Sequence, residues 1–321
     1  LSRISRGYLI ATVGTLIWST TAILIRALNR SYGLPPLVLA FWRDILAASA
    51  LFIVLAVFAR KELYVQRKQV GFFLLYGFVL SLYNMLWTIS VSLNGAAVST
   101  VLAYSSPAFT AVFGWLIFRE RMSVLKMGLV MLSIIGCMFV AGVFTAAQWH
   151  SNLLGVLTGL TSGLLFAIYS LLGKAAVNRG LNSWVALTVT FACAAMFLLL
   201  YNIVMPDAIT ANPNRVILWP GMGWQGWALL VLLAVGPTIG GYGLYNYSLN
   251  YLPASISNLI ATTEPVFTGV QAFFILRERF QAFQIVGSVL ILASVILMRV
   301  FYERISRPAV QKSKPKPDPC V

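Results

Sequence analysis

The chain has 321 residues, 60% of them hydrophobic and only 10% charged, with a mean hydropathy of +0.86. A soluble domain carries roughly 25% charged residues, so this chain has too little polar surface to cover itself in water. Its net charge of +15 sits between apolar stretches and in a terminal tail, where membrane topology and anionic lipid explain it and nucleic acid does not.

Ten apolar spans follow one another, over roughly 7–28, 35–59, 69–92, 96–118, 124–144, 153–175, 183–205, 226–249, 255–276 and 282–302. About 20 apolar residues at 1.5 Å each cross a hydrocarbon core ~30 Å thick. Gln69 to Phe118 and Met127 to Gly173 contain no Lys, Arg, Asp or Glu. No cleavable signal precedes the first span, which is expected to act as its own insertion signal.

In chain order, the first span carries Trp18 away from the water interface. The second carries Arg43 and Asp44, about 10 Å past Pro36 at helical rise. Arg43 either holds a substrate carboxylate by a bidentate contact or snorkels to anchor a helix end. On the third span Tyr83, Trp87 and Ser90 share a face, and the fourth adds Tyr104. On that fourth span Ser99, Ala103, Ser106, Thr110 and Gly114 form one stripe of small residues. Such a stripe either lets helices approach closely or lines a cavity.

His150, the only histidine, falls in an expected outer turn, and Cys137, Cys193 and Cys320 make no disulfide framework. Metal-ligand spacings, phosphate loops and paired carboxylates are missing, so neither a cofactor nor an enzyme is expected. Tyr169 lies in the sixth span. The eighth holds Tyr242 and Tyr245 and is loosened by Gly236-Pro237 and by Gly240, Gly241 and Gly243.

The ninth span holds Glu264, near mid-membrane. A carboxylate there costs several kcal/mol unless paired, hydrated or protonated. It is read either as a site for a substrate ammonium group or a proton, or as a protonated glutamate bonded to a neighbouring hydroxyl. Aromatic rings and hydroxyls around such a group suit a small, partly apolar solute. Pro107, Pro237 and Pro265 are candidate hinges, because each removes a helical hydrogen bond. The tail from Glu303 to Val321, rich in Pro and Lys, is expected to be disordered.

A repeat organises all of this. Ala96 to Arg121 (AAVSTVLAYSSPAFTAVFGWLIFRER) returns as Ala254 to Arg279 (ASISNLIATTEPVFTGVQAFFILRER), without a gap, at an offset of 158. Pro107 falls on Pro265, Ser106 on Glu264 and Glu120 on Glu278. An earlier, weaker echo at offset 148 sets Trp18, Thr21 and Arg26 against Phe166, Tyr169 and Lys174. The two offsets differ because the loop from Pro206 to Trp224 is longer than its partner.

Residues 1–150 are thus read as a first five-helix repeat and 151–302 as a second. Five is odd, so the second enters the membrane upside down. The fold class expected is an all-α integral membrane protein with ten transmembrane helices in two inverted repeats. With the N-terminus in the cytoplasm, seventeen Lys and Arg fall inside and five outside, with Arg43 within a span. Both termini are then cytoplasmic by the positive-inside rule.

The chain resembles the drug/metabolite transporter superfamily in its EamA-type branch of ten-helix carriers. The resemblance rests on Trp18-Ser19 followed by Arg26, on the arginine of Phe41-Trp42-Arg43, on Glu264-Pro265, and on the paired segments ending in Glu120 and Glu278. It covers about residues 7–302. Two positions depart from the family pattern: Ser19 stands where glycine usually follows the tryptophan, and Ser106 stands where the second half has its acid.

The resemblance implies a secondary transporter of the inner membrane that exports amino acids or other metabolites by alternating access. The expected partners are a small-molecule substrate, membrane lipid and a coupling proton. The substrate-cavity candidates are Trp18, Arg43, Tyr83, Trp87, Tyr104, Ser106, Tyr169, Tyr242, Tyr245 and Glu264. An exporter of hydrophobic drugs is the nearest alternative, and a channel or membrane receptor is the alternative of another class.

Overall fold

Helices in this chain start and stop where its prolines, glycines and hydroxyl residues dictate. The computed structural model describes residues 2–63, 66–120, 123–140, 153–205, 221–276 and 281–311. Expectations for Arg121, His150, the loop from Pro206, Arg277-Glu278-Arg279 and the tail from 312 lie outside the described residues.

Among the described residues all regular structure is helical. The helices are α1 (Arg3–Trp18), α2 (Thr21–Tyr32), α3 (Pro36–Phe58), α4 (Arg67–Ala103), α5 (Ser106–Phe118), α6 (Val124–Val140), α7 (Leu153–Asn178) and α8 (Ser183–Val204). They continue as α9 (Trp224–Leu233), a π-helical stretch Ala234–Tyr242, α10 (Gly243–Ser248), α11 (Ala254–Ala261), α12 (Glu264–Leu276) and α13 (Ala282–Gln311). Ser2 caps α1 by accepting the Ser5 N–H, and Asn182 caps α8 by accepting that of Trp184.

Among the described residues, eight stretches are long and apolar enough to cross a membrane, and α6 is a shorter apolar helix of 17 residues. Helical backbone runs without a gap through α4, yet Ser90 Oγ donates to Ser99 Oγ at 2.8 Å. A straight helix would separate residues nine apart by about 13 Å. The chain therefore folds back on itself between them, and Arg67–Val91 and Ser99–Phe118 are separate candidate crossings. The same clip recurs 158 residues on, where Ser248 Oγ donates to Ser257 Oγ at 3.0 Å.

Three helices stop part-way and restart. The breaks fall at Ser19-Thr20, Tyr104-Ser105 and Thr262-Thr263. Each leaves carbonyls that lipid cannot satisfy, and hydroxyls at the break bond them instead. Ser19 and Thr20 donate to Leu16 and Ile17 carbonyls at 2.7 and 2.8 Å. Ser105 donates to that of Leu102 at 2.6 Å, and Thr262 and Thr263 to those of Leu259 and Ile260 at 2.6 and 2.7 Å. Pro107 and Pro265 stand at the second position of the helices that restart, where a missing N–H is harmless. Pro237 lies inside the π-helical stretch, and Thr238 donates to the Leu233 carbonyl there at 2.8 Å.

The last helix continues to Gln311, past the point where disorder was expected. Extending a formed helix costs far less than nucleating one, and Glu303 and Arg304 are good helix formers.

In the core, α4 packs on α7 and α8, α3 on α8, and α6 on α13. Large apolar side chains such as Phe58, Val57 and Phe274 remain exposed on the outside, as lipid contact requires. Close approach depends on glycine: a Cβ on Gly77 of α4 would sit 2.4 Å from the Cys193 Cβ and 2.9 Å from the Thr190 carbonyl oxygen of α8. Gly77→Val is expected to destabilise the protein by about 2 kcal/mol or more by overpacking. A lowered Tm in detergent checks this; an unchanged Tm would mean that the two backbones do not meet there.

One end of the bundle gathers basic residues. Arg3 Nη2 donates to the Asn250 carbonyl at 3.2 Å, and Lys174 Nζ donates to those of Leu249 and Leu252 at 2.6 and 3.1 Å. Lys126 pairs with Glu120 at 3.1 Å, and Arg299 Nη2 donates to Ser5 Oγ at 3.3 Å.

Candidate functional site

The breaks place three candidate side chains at helix ends. Trp18 is the last residue of α1, Tyr104 lies in the gap between α4 and α5, and Glu264 is the first residue of α12. An anion at a helix N-terminus is stabilised by the unbonded N–H groups there. The Tyr104 hydroxyl donates to Glu264 Oε2 across 160 residues of sequence, in a short hydrogen bond. Glu264 itself is partly exposed.

Tyr83, within electrostatic range of both Tyr104 and Glu264, links this pair to a cluster of rings. Trp18 lies 4.3 Å from Tyr242, 5.8 Å from Phe166 and 5.9 Å from Tyr245, centroid to centroid. Phe166 also meets Tyr83 at 5.2 Å and Tyr169 at 5.9 Å. Tyr169 and Tyr242 meet edge to face at 5.9 Å. Such contacts add about 0.5–1.5 kcal/mol each beyond area burial.

Arg43 reaches the same region from α3. Its Nε donates to Asp44 Oδ1 at 2.9 Å, and Asn84 Nδ2 donates to Asp44 Oδ2 at 3.3 Å. Asp44 is fully buried and Arg43 nearly so, and Arg43 Nη2 is buried without a hydrogen-bond partner. Tyr83 lies within electrostatic range of both Glu264 and Arg43, and Tyr242 within range of Arg43. The outcome is one spare guanidinium N–H, one partly exposed carboxylate and a set of rings. Those are the chemical types that a small solute bearing both charges and an apolar body would need.

Not every candidate belongs here. The Tyr245 hydroxyl bonds Ser170 at 2.6 Å, and Tyr169 accepts from Asn246 Nδ2 at 2.7 Å. Ser106 Oγ donates to Asn258 Oδ1 at 2.9 Å, while Asn258 Nδ2 donates to Thr110 at 2.9 Å and Ser170 at 3.2 Å. These hydroxyls are committed to a buried seam between α5, α7, α10 and α11. The small-residue stripe of α5 is packed against that seam at Ser106 and Thr110, both fully buried. Trp87 is partly exposed, and among the described residues no ring contact joins it to the cluster.

Three residues of this region were not singled out from sequence as site residues. Phe166 joins the rings, and its signal is the 148-residue offset from Trp18. Asn84 and Asn258 are amides inside apolar spans, a type that is costly there unless bonded. Among the described residues, no group of three or more His, Cys, Asp or Glu is placed to hold a metal ion.

Comparison with known proteins agrees with this architecture. The model of the EamA-like transporter family matches twice, over residues 5–142 and 153–300. The chain is 26% identical to "Uncharacterized transporter sll1319" of Synechocystis, over 75% of this chain and 69% of that protein. It is 24% identical to "Uncharacterized transporter YoaV" of Bacillus subtilis, over 90% and 95%. A 71-residue stretch, 22% of each chain, is 31% identical to "Uncharacterized inner membrane transporter YhbE" of Escherichia coli. A solved crystal structure superposes with a TM-score of 0.74 at 16% identity, covering 94% of this chain and 99% of its own, so the fold is shared. The chain is a multi-pass membrane protein and belongs to the EamA-like transporter family.

Proposed function

We propose that this transporter exports amino acids, aromatic or broad-range, by alternating access between two inverted five-helix repeats, 1–150 and 151–302. In this reading ten helices cross the inner membrane and both termini are cytoplasmic, at the end where Arg3, Lys126, Lys174 and Arg299 gather. The observation that carries it is the Tyr104–Glu264 hydrogen bond between residues at matching helix breaks, with Tyr83 of the ring cluster in electrostatic range of both Glu264 and Arg43. Glu264 takes the substrate ammonium group, or a proton when the site is empty. The spare Nη2 of Arg43 takes the carboxylate, and Trp18, Tyr83 and Tyr242 hold the side chain. Pro107, Pro237 and Pro265 lie where the helices flex.

The double family match supports two related halves, and inverted halves exchange conformations so that one mouth closes as the other opens. A lipophilic cation would use the rings and Glu264 but leave the unbonded Nη2 of Arg43 unused, which favours the zwitterion.

Purified protein in proteoliposomes is expected to carry labelled phenylalanine or leucine saturably, with flux accelerated by unlabelled amino acid on the opposite side. Saturable flux of hydrophobic cations alone would replace the substrate. Flux that rises linearly, without acceleration from the far side, would replace the carrier with a channel.

A further inference from the structure

We propose that Glu120 is the catch of a latch that holds the basic end of the protein shut, and that the protein rests closed at that end because the opposite end has no equal catch. The proposal rests on the alternating-access reading above and names what sets its resting position.

The catch begins with backbone geometry. Helix α5 ends at Arg119, whose φ of 52° is left-handed, and the Glu120 N–H donates to the Gly114 carbonyl at 3.1 Å. This turns the Glu120 side chain back along its own helix. A Cβ on Gly114 would lie 2.9 Å from the Glu120 carboxylate carbon, so a glycine is needed under it. There Oε2 accepts from Lys126 Nζ at 3.1 Å and from Ser255 Oγ in a short hydrogen bond. Both charged side chains are only 10% exposed, so the pair is screened far less than a surface ion pair.

Ser255 belongs to the second half of the chain, in the first turn of α11, and all eight residues of that helix are buried. Lys174, within electrostatic range of Glu120, holds the carbonyls of the turn that leads into α11. Three residues further along, Asn258 fastens the same helix to Ser106, Thr110 and Ser170. The first turn of α11 is thus pinned by Glu120 and its middle by an amide. Glu120 Oε1 is buried without a hydrogen-bond partner, so the closed state leaves one strong acceptor unmet. That makes the latch releasable.

The repeat allows a comparison with the other end. At an offset of 158, Glu120 corresponds to Glu278, Lys126 to Gln284, Gly114 to Ala272, Ser255 to Ala97 and Asn258 to Thr100. The second glutamate is kept, and Arg26 stands against Lys174 at the 148-residue offset, but the paired lysine, the hydroxyl donor, the glycine and the amide are all replaced. A carboxylate that loses both its cation and its hydroxyl donor loses the charge-assisted bonds that made the catch strong. Exchange of conformation between the halves therefore trades a complete latch for an incomplete one, and the population lies on the Glu120 side.

The test reads the exposure of Ala254, the fully buried first residue of α11. Ala254→Cys is made in a chain carrying Cys137→Ala, Cys193→Ala and Cys320→Ala, and is reacted with a membrane-impermeant maleimide added to the basic end. Labelling is expected to be slow, and about tenfold faster with Ser255→Ala or Glu120→Gln. A second arm builds the missing catch: Gln284→Lys with Ala97→Ser, the Glu120 group untouched, is also expected to speed labelling, by stabilising the opposite state. A Tm equal to the parent's separates that gain from simple loss of stability, and this arm then carries the test if Glu120→Gln fails to elute as a folded monodisperse protein. Unchanged labelling in the folded variants of either arm overturns the latch. No substrate enters this measurement, so labelling that responds without amino-acid flux overturns the substrate reading alone, and flux with indifferent labelling overturns the latch alone.

Discussion

Glu264→Gln is expected to raise the KM for amino-acid flux ten- to a hundredfold, because a charge-assisted hydrogen bond between ammonium and carboxylate contributes roughly 1.5–3 kcal/mol. The amide keeps the size of the side chain and its ability to accept from Tyr104, so packing at the start of α12 is preserved while the charge is lost. Tyr104→Phe does the reverse: it removes the donor and leaves the carboxylate, and its KM is expected to stay within a few-fold of the parent's. Flux in Glu264→Gln is also expected to lose any dependence on pH between about 5 and 8, because the proton-binding group is gone. Initial rates in proteoliposomes over a range of substrate concentrations separate the two variants. Equal KM in parent and Glu264→Gln would reduce Glu264 to a structural acceptor for Tyr104.

Arg43→Met is expected to cost about 3–5 kcal/mol of stability, because it strands the fully buried Asp44 carboxylate without its cation. Asn84 alone, at 3.3 Å, does not replace that charge. Removing both members, as Arg43→Met with Asp44→Leu, is expected to recover most of the lost Tm, since a buried ion pair contributes little against an apolar pair of similar volume. The double variant then isolates the role of Arg43 in binding: folded protein with an intact ring cluster but no guanidinium should show a KM raised about tenfold or more. A double variant that both folds and transports with the parent's KM would make Arg43 purely structural.

Much of the fold was legible because its signals are long. An uncharged tract such as Gln69 to Phe118 announces membrane crossings through composition alone, and the 158-residue repeat identified Glu264 and Ser106 as counterparts. The helix breaks were legible only in part. Pro107 and Pro265 marked the neighbourhood, whereas the chain stops two or three residues earlier, where hydroxyls at Ser105, Thr262 and Thr263 cap the freed carbonyls. The break at Ser19-Thr20 has no proline at all, so nothing in the run from 7 to 28 flagged it.

At the site, sequence supplied residue types but not commitments. Trp18, Tyr83, Tyr242 and Tyr245 share one cluster, yet the Tyr245 hydroxyl is engaged by Ser170 and Ser106 is engaged by Asn258. Those bonds join spans far apart in the chain, and periodicity along one helix carries no information about them. Trp87 shares a helix with Tyr83 but not its ring contacts, for the same reason.

The hydroxyl-capped fractures in α1–α2, α4–α5 and α11–α12 bear on how such a molecule moves. A helix stub whose end carbonyls are already occupied can swivel about its neighbour without uncovering dipoles to oil. The energetic penalty of bending was met at folding, so each stroke of the cycle starts from a joint that is already open. Under the alternating access proposed above, these three joints among the described residues are where the two parts of each helix would swing against one another.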